Sequence, residues 1–180
     1  MSALNYCFSN LLDHVREQCA RSKKGGIDAI AIFDSDSGIT SYSNATQWNA
    51  AIAAETAKII KGIKAEWLQG SAVEGENTVG CGNDTIIDGY DHTVNVFDYN
   101  VSDDNDAFWA SLNSQRYYIA LRLCTEGEIV VIELPVNFFA PAANVPMSNK
   151  EKQRYAVEMK FSAPADWYPI RATEPVGIFD

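Results

Sequence analysis

The chain reads as a mainly β, α+β fold: an antiparallel β-sandwich or barrel with an N-terminal helix and a second helix in one strand crossover. Three observations predict this. Apolar and polar residues alternate over 92–99, 116–124, 128–134 and 154–161, the period-two mark of strands buried on one face. One short helical stretch interrupts these patterns in the second half of the chain. The 180 residues, 47% hydrophobic and 21% charged, suit a single packed core and exclude disorder along the whole chain.

The elements follow in order. Over residues 4–20, Leu4, Phe8, Leu11, Leu12, Val15 and Cys19 recur three and four apart, which predicts an amphipathic helix ended by Lys23, Lys24 and two glycines. Residues 27–33 are apolar on both faces and predict a central strand covered on both sides. An alanine-rich helix is expected over 44–55, with Ser43 or Asn44 as N-cap and Trp48 and Ile52 one turn apart. Its narrow apolar stripe places it on a surface. Ile63, Ala65 and Trp67 then alternate with Lys64 and Glu66, a half-buried strand.

Residues 70–91 carry five glycines among Ser, Asn and Asp, with one short strand expected near 85–87. So long a stretch within a small domain implies an extended hairpin or arm with a task. The crossover helix is expected over 102–113, capped by Ser102 or Asp103, with Asp104 and Asp106 at the positive end of its dipole. Gly127 can take positive φ, so 117–134 reads as a hairpin, with Tyr117, Ile119, Leu121 and Leu123 on one face. Residues 140–149 read as a loop, and Tyr155, Val157, Met159 and Phe161 as the inward face of the last strand. The division expected is an N-terminal helix over 1–25, a β-domain over 26–162 and an extended tail over 163–180. That tail joins three prolines to Trp167, Tyr168 and Phe179, and needs an apolar surface such as another subunit.

Against 24 Asp and Glu stand 14 Lys and Arg, a formal net charge of −10 without a basic stripe. Specific grip on a nucleic-acid backbone is not expected. The bland account is solubility; the sharper one is an acidic wall past which a polyanion slides. No apolar run approaches the roughly 20 residues that span a bilayer, and no secretion signal opens the chain. Cys7, Cys19, Cys81 and Cys124 lack CxxC or Cys/His spacing, so free thiols are expected and no metal or cofactor is implied. Cys124 reads as a small core residue and Cys81 as a loop residue.

Catalytic patterns are sparse. The run AIAIFDSDSGIT, residues 29–40, resembles the first motif of haloacid-dehalogenase-like phosphatases, which implies Asp34 as nucleophile and Asp36 as general acid. Gly38 stands where that family has Thr or Val, and a turn in which Asp and Ser close a hairpin explains the same residues. Asp36 lacks the ligand spacing of a calcium loop. Cys81 with His92 and a nearby Asp has the elements of a nucleophilic site, but His92 shares a strand face with Val94 and Val96 and reads as a buried or edge histidine. His14 reads as a surface residue. No phosphate-cradling glycine motif occurs. Trp109, Tyr117, Tyr118, Trp167 and Tyr168 have the rings to stack bases but sit among acids, which favours core or interface.

The element order from the 26–33 strand through the glycine-rich arm, the crossover helix and the hairpin to the strand ending at 161 resembles that of bacteriophage tail-tube and related virion structural proteins. The resemblance implies a non-enzymatic subunit that joins its neighbours edge to edge in rings around a DNA channel. It also implies a homo-oligomer in contact with other virion proteins, DNA passing nearby without specific binding, no membrane, and location in a virion assembled in the host cytoplasm. The expected contacts are Cys81 and Tyr90 in the arm, with Trp167, Tyr168 and Phe179 in the tail. Alternatives are an auxiliary capsid or decoration protein, a phosphoryl hydrolase on Asp34 and Asp36, and a carbohydrate-binding β-module.

Overall fold

A computed structural model describes residues 26–77, 84–113, 115–124, 127–144 and 152–179. Eight strands and two helices follow in the order β1 (Ile27–Phe33), α1 (Ala45–Ala53), β2 (Ala57–Trp67), β3 (Ser71–Asn77), β4 (Asp84–Asp98), α2 (Asp103–Leu112), β5 (Arg116–Leu123), β6 (Glu128–Phe139), β7 (Tyr155–Pro164) and β8 (Ile170–Thr173). Every pairing is antiparallel. The sheet runs β2-β1-β5-β6-β7-β4, and β2 also bonds β4 through Lys64↔Phe97 to Trp67↔Val94. Six strands therefore close into a barrel. β3 extends the sheet beyond β4, and β8 adds to the first half of β6. Closure replaces the sandwich that the alternation equally allowed.

The alternating residues point where the sequence placed them. Ile63, Ala65, Val94, Val96, Ile119, Leu121, Tyr155, Val157, Met159 and Phe161 share one buried cluster, the barrel interior. β1 is covered on both faces, as expected: Ile30 and Ile32 join the interior, while Ala29, Ala31 and Phe33 join a second cluster outside it. That outer cluster contains Trp48 and Ala51 of α1, so the helix is seated on the barrel wall. Its cap is Asn44, whose side chain accepts from the Thr46 N–H at 2.9 Å.

α2 belongs to the interior through Trp109 and Leu112. Ser102 caps it, and Asp103, Asp104 and Asp106 occupy its first turn. Polar contacts of three residues, Trp109, Tyr155 and Asn113, lock it. The Trp109 indole donates to Asp98 Oδ2 at 3.0 Å, a carboxylate buried to 5% exposure. The Tyr155 hydroxyl donates to Asp106 Oδ1 at 2.7 Å and accepts from the Ser102 N–H at 3.4 Å. At its end, Asn113 exchanges two hydrogen bonds with Ala140, at 2.7 and 3.0 Å.

Several expectations change. β6 runs five residues past its expected end, to Phe139, because Pro135 falls in a bulge where Tyr117 pairs Val136 and Ile119 pairs Ile132. Part of the tail finds its apolar surface within the chain itself. β8 pairs β6, the Glu174 N–H donates to the Gly127 carbonyl at 2.6 Å, and Arg122 donates to the Phe179 carbonyl at 2.7 Å. Ile178 and Phe179 then bury beside Trp48. Cys124 is exposed rather than core, since it lies just past the end of β5. Gly127 has φ +70°, as its turn requires. The helix expected over 4–20, His14, Cys7, Cys19 and Cys81 lie outside the described residues.

Candidate interaction surface

β3 and β4 form the arm expected over 70–91, and both sides of it are strands rather than one short strand inside a loop. β7 ends opposite Gly89, where Gly89 pairs Pro164, so among the described residues the arm beyond that point is supported by its own two strands. The glycine there has a steric reason: a Cβ on it would lie 2.4 Å from the Ala163 carbonyl oxygen. The outer edge of β3 has no partner strand among the described residues. Glu74 on that edge opposes uncontrolled strand addition.

At the foot of the arm five rings meet. His92 stacks on Phe161 with centroids 4.9 Å apart, and Trp67 and Trp167 close around it at 5.6 and 5.8 Å. Tyr90 lies 6.3 Å from His92. The Trp67 indole donates to His92 Nδ1 at 3.3 Å, so that nitrogen carries no proton. Burial pulls the imidazole below its ordinary value, with Asp91 acting in the opposite direction. His92 is half-buried on the same face as Val94 and Val96, the position the strand pattern gave it.

The expected contact residues divide. Tyr90 and Trp167 are half-buried in this aromatic cluster, Tyr168 beside them is 79% exposed, and Phe179 is 1% exposed inside the chain's own core. Leu68, Val73 and Ile87 are also exposed on the arm or beside its foot. With Tyr168 they are four of the eight large apolar residues exposed among the described residues, which gathers sticky surface at this end. Tyr117 and Tyr118 are half-buried against the two cores, and Trp109 is fully inside.

Asp34 and Asp36 lie in a tight turn after β1, where the Asp34 carbonyl accepts from the Ser37 N–H at 3.1 Å. The turn leads through a loop into α1, so it closes no two-strand hairpin. Antiparallel strands surround it, unlike the parallel α/β units of the phosphatases it resembles. Among the described residues no three His, Cys, Asp or Glu side chains are gathered as metal ligands, and no helix is long and apolar enough to cross a membrane.

No family model matches the sequence, and no curated protein or solved structure matches it significantly. The site must speak for itself.

The opposite end of the barrel holds what sequence reasoning missed. Lys64, Lys152 and Arg154 line an open pocket of about 610 Å³ with Tyr99 and Asn144. Arg154 lies 4.5 Å from the centre of the Phe97 ring and Lys64 6.0 Å from that of Tyr99. Lys58 and Lys61 line a neighbouring pocket with Asp98 and Asn105. The signal was present in the spacing of charge: no Lys or Arg occurs between Lys64 and Arg116, a stretch that includes the whole arm.

Proposed function

We propose that the chain is a non-enzymatic structural subunit of a bacteriophage virion, a tail-tube or connector protein that assembles with its own copies into rings around a DNA channel. The observation that carries this reading is the arm. A closed barrel needs no outside strand to finish its sheet. The hairpin beyond Gly89 adds little to the core yet holds Val73 and Ile87 in water, at 40% and 47% exposure. Such a feature is favoured when it reaches a second molecule.

Two further observations support it. The chain is strongly acidic, which suits a bore that a polyanion crosses without sticking. The barrel itself closes most of its edges, so among the described residues joining edge to edge falls to β3 and β8, and arm contacts take the larger share. Assembly would take place in the host cytoplasm, with other virion proteins as further partners. Purified full-length chain imaged by negative-stain electron microscopy tests the reading: rings or stacked rings with a central opening are expected. Particles no larger than one chain at every concentration would overturn it.

A further inference from the structure

Acid and base are separated along one strand. β4 carries the arm acids Asp88 and Asp91 toward its start and, opposite Phe97, meets Lys64 toward its end. Glu74 joins the arm acids from β3, where it pairs with Ile87. All three acids are exposed, and among the described residues neither Glu74 nor Asp88 has a cation within ion-pair distance. Lys64, Lys152 and Arg154 have no carboxylate of the described residues within that distance either. Of the acids near this pocket in the chain, Glu151 lies outside the described residues, Glu158 pairs with Lys160, and two others are engaged elsewhere. Glu66 accepts from Asn95 at 3.4 Å, and Asp98 is held inside by Trp109 and by the Asn100 N–H.

The arm cannot reach its own basic pocket. Nine residue steps of continuous strand take Asp88 to Phe97, about 30 Å at the usual rise per residue, and the barrel fixes that span. Opposite charges held rigidly at opposite ends of one molecule are satisfied head to tail. Where copies follow one another in the same direction the contact is heterologous and propagates from copy to copy into a ring or a stack.

We propose that the Lys64–Lys152–Arg154 pocket is the receptor for the acidic arm of a second copy of this chain, with Glu74 and Asp88 as the incoming carboxylates. The proposal rests on the self-assembly reading above and names the surface that receives the arm. Charge complementarity of this kind sets register and encounter rate, and salt weakens it.

A charge swap tests it on the full chain by analytical ultracentrifugation. Lys64→Glu with Arg154→Glu is expected to raise the concentration needed for assembly at least roughly tenfold, and so is Glu74→Lys with Asp88→Lys. Mixing the two variants makes both hetero-contacts complementary, acidic arm to unaltered pocket and basic arm to acidic pocket, while each variant's contact with itself repels, so hetero-assembly is expected to return. Circular dichroism on each variant confirms folding. A salt titration of the unaltered chain gives an independent reading: assembly is expected to weaken toward about 1 M salt, where screening falls to about 3 Å. Assembly indifferent to salt and to both swaps would overturn this pairing and leave self-assembly standing. An unaltered chain that stays monomeric would overturn both.

Discussion

The two ends of the barrel are finished in opposite ways. At the α2 end, Trp109, Leu112 and Tyr155 are buried, and their polar atoms reach Asp98, Asp106 and Ser102. At the arm end, Trp67, Tyr90, His92 and Trp167 form a half-buried ring cluster beneath a hairpin with wet faces. The first arrangement resembles the inside of a domain and the second a surface awaiting cover. The difference teaches where stability and contact reside: substitutions in the buried α2 contacts are expected to change folding, and those on the exposed arm or in the exposed basic pocket to change association.

The largest expected effect is Trp109→Ala. It opens a cavity behind a residue that is 1% exposed and strips Asp98 of its indole donor, so a loss of about 3–5 kcal/mol is expected in chemical denaturation. A loss under about 1 kcal/mol would show that α2 does not close the barrel. Tyr155→Phe keeps the ring and removes one hydroxyl from a buried network, for an expected loss of about 1–2 kcal/mol by the same measurement. Burial and the Asp106 contact raise the pKa of this tyrosine, so the hydroxyl stays protonated and continues to donate at neutral pH.

At the arm end the sharper probe is pH. The His92 ring has a folded pKa below its unfolded value of about 6.5, so the unfolded chain takes up the proton first. The neutral ring's contribution is present in full above about pH 6.5 and is lost as pH falls toward the lowered folded value. His92→Phe keeps the stacking on Phe161 and removes the titration. Thermal melts of the two proteins across this window are expected to show a loss in the parent that the variant lacks; parallel curves would contradict it. The smallest effect is Tyr168→Ser, expected to leave stability within about 0.5 kcal/mol because the ring is 79% exposed.

Some of this contrast was legible beforehand. β7 shows Tyr155, Val157, Met159 and Phe161 because one face meets the interior and the other meets water. The Ser102 cap and the acids after it announced α2. The arm was harder to read. A strand pair exposed at Ala72, Val73, Glu74, Ile87 and Asp88 has no apolar alternation to display, so Glu74 and Gly75 looked like loop. Barrel closure was hidden for another reason. The β2–β4 pairing joins Lys64 to Phe97 across the arm, and no local pattern encodes it. Pro135 concealed the second half of β6, and the prolines around β8 concealed a strand that exists only because β6 offers it an edge. The basic pocket needed the fold, since Lys64 and Arg154 meet only after closure.

Association at the arm end is the claim on which the rest depends. Multi-angle light scattering over a dilution series compares the full chain with the triple variant Val73→Ser, Ile87→Ser, Tyr168→Ser. The full chain is expected to run at multiples of its 19.8 kDa mass and the variant to fall toward a single chain while remaining folded. A mass of one chain for both proteins at every concentration would contradict the account, and so would equal multiples for both.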